Sequence, residues 1–339
     1  MKKRMIAIIV AVCLVLGSVT LAACTAKKNN TQTNDNTGKK LSIVTTIFPE
    51  YDWVINILGD KAEDADITML LDNGVDLHNY QPTADDLIKI SNCDLFIYVG
   101  GESDEWVEDT LANATNKNIK VINLLEVLGS NAKEEEIVEG MEAEEHEHED
   151  GEEEHEEEEG PEYDEHVWLS LKNAQLLVSE IAKELSAVDS ANASVYAANA
   201  EAYNKQLSEI DAQYEASVKA ATTKTLLFGD RFPFRYMADD YGLDYYAAFV
   251  GCSAETEASF ETISFLAGKV DELGLKHVIV IENSDKKIAN TIISTTTAKD
   301  ADIITMNSLQ STTSQDIKSG TTYLSVMQDN LSALKEALS

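Results

Sequence analysis

The sequence predicts an α/β protein of two similar Rossmann-like lobes, each built on a parallel four-stranded sheet, with a long rigid helix joining them. Short β-branched or apolar runs alternate with helical patterns along the chain, as in parallel sheets whose strands are connected by helices. Four such runs occur in each half. The 339 residues also exceed the length at which a single hydrophobic core stops growing, about 250–300 residues.

The N-terminus has the pattern of a lipoprotein signal peptide over residues 1–23. Three basic residues at 2–4 precede an apolar run at 5–16, which is shorter than the about 20 residues of a membrane-spanning helix. Small residues then precede Cys24, so we expect cleavage before Cys24 and lipid attachment to its thiol. The alternative is an ordinary secretory signal with a chance cysteine. Residues 24–40 form a polar tether, and the mature protein is expected outside the cytoplasm, lipid-anchored to the cell membrane.

Residues 41–171 are predicted to form the N-terminal lobe. Its apolar runs predict four strands, and three helical patterns lie between or after them. The strands are expected at 41–46, 67–71, 95–99 and 120–124, and the helices around 51–58, 84–90 and 104–112.

Residues 172–190 are predicted as the linker helix and 191–339 as the C-terminal lobe. Apolar residues step by three or four from Ala174 to Leu185, and a second such pattern runs from Tyr196 to Val218. The second lobe repeats the scheme of the first. Its strands are expected near 225–228, 245–249, 277–281 and 302–306, and its helices near 234–240, 259–273, 286–295 and 322–338.

The chain is strongly acidic, with a formal net charge of -35. Such a charge repels nucleic acid and attracts cations. Residues 134–165 contain twenty Asp or Glu and neither Lys nor Arg, which predicts a mobile surface loop within the N-terminal lobe. His146, His148 and His155 lie in it, so we interpret the loop as an auxiliary metal-collecting segment; the alternative is a loop that only aids solubility.

Four residues with metal-binding side chains follow predicted strands or face their ends. His78 comes after the second strand, His166 after the acidic loop, Asp230 at the end of the fifth strand and Glu282 at the end of the seventh. Ligands of open α/β sheets bind beyond the carboxyl ends of the strands. Two imidazoles and two carboxylates can fill a tetrahedral sphere without an open position, which favours metal binding over metal catalysis.

Other chemistry has little support in the sequence. Neither an HExxH motif nor a G-x-S-x-G elbow nor a P-loop occurs, so the chain is not expected to be an enzyme. Beyond the signal region only Cys93 and Cys252 remain. They lie in different predicted lobes, which favours two unpaired thiols over the alternative of one disulfide.

Several motifs resemble the zinc- and manganese-binding lipoproteins of ABC importers, known as cluster A-I substrate-binding proteins, over residues 41–339. They are VTTIFP at 44–49, GVDLHNYQP at 74–82, DLFIY at 94–98, DEHVWLS at 164–170, GCSAETE at 251–257 and YLSVM at 323–327. The acidic, histidine-containing loop is typical of the zinc branch. This resemblance implies a monomer that binds Zn²⁺ and delivers it to an ABC permease in the membrane. Mn²⁺ as the metal, or a surface adhesin role, are the alternatives.

The resemblance also implies the ligands. His78 and His166 match the family histidines, and Glu282 matches a carboxylate of some zinc members. The third ligand position holds Arg231, which stays protonated and cannot bind a metal. We therefore expect its neighbour Asp230 to be the third ligand, the alternative being a three-ligand site completed by water. Arg231 is then expected beside the site, paired with a carboxylate.

Overall fold

Two four-stranded parallel sheets form the framework of the protein. The computed structural model describes residues 40–142, 162–253 and 257–339. The strands are β1 Leu41–Thr45, β2 Ala65–Met69, β3 Leu95–Tyr98, β4 Lys120–Asn123, β5 Thr225–Phe232, β6 Asp244–Val250, β7 His277–Val280 and β8 Asp302–Thr305. The sheet orders are β2-β1-β3-β4 and β6-β5-β7-β8, and all neighbours are parallel. The predicted fold class is confirmed.

Helices follow the strands in both halves, as the sequence pattern predicts. They are α1 Phe48–Leu58, α2 Ala84–Asn92, α3 Trp106–Ala112, α4 Leu124–Leu128, α5 Leu171–Val188, α6 Ala193–Ala220, α7 Arg235–Tyr241, α8 Phe260–Leu273, α9 Lys287–Thr295, α10 Ser314–Lys318 and α11 Tyr323–Ala337. Within the three described ranges, no helix combines the length and the apolar character needed to cross a lipid bilayer.

Strand β5 is longer than its sequence predicts. It continues to Phe232, and its pairing with β6 is irregular between Phe228 and Arg231. Asp230 therefore lies inside β5, not at its end as expected. Gly229 belongs to the same irregular stretch, and a Cβ atom there would lie 2.7 Å from the Cα of Ala289 in α9. The absence of a side chain lets helix and strand approach closely.

Two helices connect the sheets along the chain. The first, α5, lies where the linker helix is predicted and packs against α1 and α4 of the first lobe. Ser170 caps its N-terminus, accepting a hydrogen bond from the backbone N–H of Asn173. The longer α6 packs against α1 of the first lobe and α11 of the second. Helix α6 thus contacts both lobes. The predicted domain limits remain a prediction.

Buried aromatic side chains join the lobes on the side of α6. Trp53 of α1 and Tyr323 of α11 meet edge to face with ring centroids 5.3 Å apart. The hydroxyl of Tyr323 donates to the carbonyl of Trp168, and that of Tyr214 in α6 donates to the carbonyl of Met327 in α11. These rings are almost fully buried. The two tyrosine hydroxyls are therefore buried with their hydrogen bonds made, whereas the indole nitrogen of Trp53 has no hydrogen-bond partner.

Candidate metal centre

Two short hydrogen-bonded turns place His78 and His166. Asp76 caps the turn Leu77–Asn79, and its Oδ1 accepts from the backbone N–H of His78 at 3.2 Å. Asp164 plays the same part for the second histidine, because its Oδ1 accepts from the backbone N–H of His166 at 2.8 Å. Such side-chain to backbone bonds fix a turn locally. His166 is completely buried.

The partners of the two Nδ1 atoms set the orientation of the rings. Nδ1 of His78 lies 2.9 Å from Oγ of Ser103 and 3.3 Å from Oε2 of Glu165, and Nδ1 of His166 lies 3.0 Å from Oδ1 of Asp164. With Nδ1–H donating to these oxygens, each Nε2 carries a lone pair. A carboxylate behind a histidine is the usual support of a metal-bound imidazole.

The two Nε2 atoms face each other at 3.2 Å. Two nitrogen ligands at about 2.0–2.1 Å from one tetrahedral Zn²⁺ are about 3.3 Å apart. Burial alone would lower the pKa of His78, but the hydrogen bond and charge of Glu165, with the charge of Asp76, raise it. The pair therefore has the spacing and the anionic surroundings of a cation site.

Cys252 is a donor that the sequence interpretation did not include. Its Sγ and one ring nitrogen each of His78 and His166 lie within 4.8 Å of one another. Neither Asp230 nor Glu282 joins this group. Burial first, and then the charges of nearby carboxylates, raise the thiol pKa well above its usual value, so the thiol is a weak ligand until a cation displaces its proton. Neither Cys93 nor Cys252 forms a disulfide in the part of the chain that the structure describes, as predicted.

Asp230 and Glu282 line a neighbouring cavity of about 430 Å³, which residues of both lobes enclose. Oδ1 of Asp230 accepts from the backbone N–H of Arg231, while its Oδ2 is buried without a hydrogen-bond partner. The Glu282 carboxylate accepts from the backbone N–H of Ser308 at 2.6 Å and from the hydroxyls of Ser308 at 2.7 Å and Ser311 at 3.2 Å. Of the four predicted ligands, the structure thus brings together the two histidines and leaves the two carboxylates on the cavity wall.

Arg231 pairs with a carboxylate beside the site, as the sequence suggests. Its Nη2 lies 2.6 Å from Oδ2 of Asp76, and its Nη1 donates to the carbonyl of Ser253 at 3.2 Å. Burial would raise the pKa of Asp76, but the charges of Arg231 and His78 outweigh it and lower that pKa. The ion pair connects β5 of the second lobe with the turn that carries His78.

Gln310 is the second residue that sequence reasoning missed. Its amide nitrogen lies 3.0 Å from Nε2 of His78 and 2.7 Å from Nε2 of His166. The side chain comes from the segment that follows β8, so it belongs to the second lobe. A neutral glutamine in a loop has no composition or spacing that would mark it as part of a metal site.

The ends of the acidic segment are ordered, which corrects the prediction of a mobile loop over 134–165. Glu134 forms an isolated bridge with Tyr163, and Glu142 forms one with Phe249. Asp164 and Glu165 are buried because they hold the two histidines. Specific hydrogen bonds therefore order these ends, although their acidic composition predicts a mobile loop. His146, His148 and His155 lie outside the described residues, as does Cys24.

Two α/β lobes with a pair of facing imidazoles beside the cavity between them define the class as a two-lobed α/β protein with a candidate metal site. The family model described as zinc-uptake complex component A, periplasmic, matches residues 43–337. The chain belongs to this zinc-uptake family, ZnuA, which is the family resemblance that its motifs predict. It is a family of metal-binding transport components and not of enzymes.

Sequence similarity to two zinc proteins supports this family assignment. The zinc-binding lipoprotein AdcA of Streptococcus pneumoniae is 32% identical over 300 residues, which cover 88% of this chain and 56% of AdcA. The chain thus spans about half the length of AdcA. The high-affinity zinc uptake system protein ZnuA of Bacillus subtilis is 30% identical over 330 residues, covering 97% of this chain and 96% of that protein.

Solved structures show the same fold. The Zn(II)-bound ZnuA-like domain of Streptococcus pneumoniae AdcA superposes with a TM-score of 0.68 at 30% identity, covering 88% of this chain and 99% of that domain. The laminin-binding protein Lmb of Streptococcus agalactiae, described as a bifunctional protein with adhesin and metal transporting activity, has a TM-score of 0.69. At 23% identity over 88% of this chain and all of Lmb, that likeness supports the fold alone.

Proposed function

We propose that this chain binds Zn²⁺ outside the cytoplasm and delivers it to an ABC permease of the membrane. The observation that carries the proposal is the pair of Nε2 atoms 3.2 Å apart, each ring supported through Nδ1 by a buried carboxylate. The family description and the names of AdcA and ZnuA support zinc as the cargo. The periplasmic family description also supports an extracytoplasmic location, with Cys24 as the proposed lipid anchor.

His78, His166 and Asp230 are the proposed ligands. The buried Oδ2 of Asp230 has no hydrogen-bond partner, and a buried carboxylate oxygen without a partner is costly unless a cation satisfies it. Glu282 stays the proposed fourth ligand, and its carboxylate accepts hydrogen bonds from Ser308 and Ser311. Mn²⁺ stays the alternative cargo because carboxylate oxygens suit it.

Titration of metal-free protein with Zn²⁺ and Mn²⁺ tests the proposed function. We expect one tight site that prefers Zn²⁺, since imidazole-containing sites follow the order Mn²⁺ below Zn²⁺ in affinity. A variant with alanine at His146, His148 and His155 should keep this site and lose only weaker binding. Absence of tight Zn²⁺ binding in the wild type would refute the proposal.

Asp230→Ala should weaken zinc binding by about tenfold or more, the least that loss of a supporting group at a metal site costs. The physical reason is that it removes the carboxylate oxygen that lacks a hydrogen-bond partner in the cavity. The matched control is Asp244→Ala, which removes an exposed carboxylate at the start of β6, away from the cavity wall. Calorimetry on both variants measures the effect; wild-type affinity in Asp230→Ala, or an equal loss in Asp244→Ala, would show that the ligand is placed wrongly.

A further inference from the structure

The histidine pair lies beside two cavities that offer different metal donors. Asp230 and Glu282 line the cavity of about 430 Å³. A second cavity, of about 410 Å³, is lined by His78 and by Cys252. The two cavities have no lining residue in common. A cation at the imidazoles can therefore find carboxylate oxygens on one side and a sulfur on the other.

The second cavity is strongly acidic. The side chains that line it include five glutamates, at positions Glu102, Glu105, Glu135, Glu162 and Glu165. Neither lysine nor arginine is among the described residues of its wall. A concave surface lined by one sign of charge raises the local concentration of the opposite ion. The cavity therefore concentrates cations at the side of the histidine pair on which Cys252 lies.

The sulfur of Cys252 is close enough to the imidazoles to share a cation with them. Its Sγ and one ring nitrogen of each histidine lie within 4.8 Å of one another. A metal ion bonded at about 2.0–2.1 Å to nitrogen and about 2.3 Å to sulfur keeps such donors about 3.3–3.6 Å apart. The three donors therefore need to approach one another by no more than about 1.5 Å.

The proton of the thiol has an acceptor beside it. The thiol and the backbone N–H of Cys252 both hydrogen-bond the carboxylate of Glu135, whose Oε1 is buried without a hydrogen-bond partner. When a cation binds, the S–H bond breaks, the sulfur electron pair forms the metal–sulfur bond, and the proton passes to Glu135. No atom is oxidised or reduced. The nearby charges of Asp164 and Glu165 attract the cation that replaces this proton.

We propose that Cys252 and the two histidines form a second metal position, which takes a soft cation in place of zinc. Thiolate sulfur is a soft ligand and selects soft metal ions, whereas carboxylate oxygen suits harder ones. The two positions share their imidazoles, so the protein binds one cation or the other there. This inference goes beyond the proposed zinc delivery, because it gives the same histidine pair a second class of cation. Cd²⁺ represents that class as a divalent ion without redox chemistry.

Titration of metal-free protein with Cd²⁺, followed by ultraviolet absorption, tests the proposal. Cd²⁺ bound to a thiolate has an intense charge-transfer absorption that nitrogen and oxygen ligands do not give. We expect this absorption in the wild type and its loss in Cys252→Ser, with a fall in Cd²⁺ affinity of about tenfold or more. The affinity of Cys252→Ser for Zn²⁺ should equal that of the wild type. The matched control is Cys93→Ala, which removes the buried cysteine after α2 and should keep the absorption.

The opposite results separate this proposal from the proposed function. The second position is overturned if the wild type shows no thiolate absorption with Cd²⁺, or if the absorption persists in Cys252→Ser. Equal losses of Zn²⁺ and Cd²⁺ affinity in Cys252→Ser would make the sulfur a zinc ligand and also overturn a separate position. Absence of tight Zn²⁺ binding beside an intact Cd²⁺ absorption would refute the proposed function alone.

Cadmium NMR is a second measurement that needs no variant to fold. A sulfur ligand moves the cadmium resonance far downfield of its position with nitrogen and oxygen ligands alone. We expect the downfield position in the wild type, and a resonance at the nitrogen and oxygen position would overturn the proposal. Asp230→Ala should keep the downfield resonance, because Asp230 lines the other cavity.

Discussion

Replacing His166 by alanine should lower the affinity for Zn²⁺ by more than about 100-fold, the upper end of the loss expected even for a supporting partner of a ligand. His166 supplies one of the two facing Nε2 atoms, and Asp164 fixes its ring. The remaining imidazole would bind the cation without its nearest partner. Competition with a zinc-sensitive chelating dye near neutral pH measures the change.

His277→Ala is the matched control, because this histidine begins β7 and belongs to no described cluster with the pair. It should bind zinc as tightly as the wild type. Since His166 is completely buried, thermal unfolding of the metal-free variant must show that it folds, and His166→Gln provides a less disruptive second variant. Tight binding in folded His166 variants would place the metal elsewhere.

Trp53→Ala should destabilise the metal-free protein by about 3–5 kcal/mol, the usual cost of removing a large buried aromatic side chain. Trp53 is fully buried in α1 and packs on Tyr323 of α11, so its loss opens a cavity between helices of the two lobes. Chemical denaturation in the presence of a chelator measures the free energy of unfolding without a contribution from bound metal.

The control for this change is Phe260→Ala. Phe260 is also aromatic and begins α8, but it is 81% exposed. Its removal should change the free energy of unfolding by no more than about 0.5 kcal/mol, as for most surface substitutions. Similar losses in the two variants would mean that the aromatic contact between α1 and α11 contributes little.

The architecture could be predicted because hydrophobic periodicity depends on local sequence alone. The alternation of buried runs and helical stripes predicts both sheets, and the positions after the strands point to His78. Strand β5 is longer than predicted because the apolar run that marks it in the sequence stops at Phe228. The strand continues through an irregularity that depends on the approach of α9, a tertiary contact that no local pattern shows.

The site could be predicted only in part. The histidines have a restricted chemistry and belong to recognisable motifs, so sequence reasoning finds them. Gln310 and Cys252 come close to the two histidines only through the tertiary fold. Neither lies at a sequence spacing that is typical of metal ligands. The acidic composition around Asp164 and Glu165 suggests solvation. Their burial follows instead from hydrogen bonds to particular imidazoles.

The ion pair between Arg231 and Asp76 limits how far this site can be separated from its surroundings. Both histidines belong to the first lobe, but Asp76, which caps the turn of His78, shares its carboxylate with an arginine of the second. His166 is similarly confined, since a Cβ atom at Gly251 would lie 2.9 Å from its Cε1. Transplanting the first lobe alone into another scaffold would carry over both imidazoles but not the framework that aligns them.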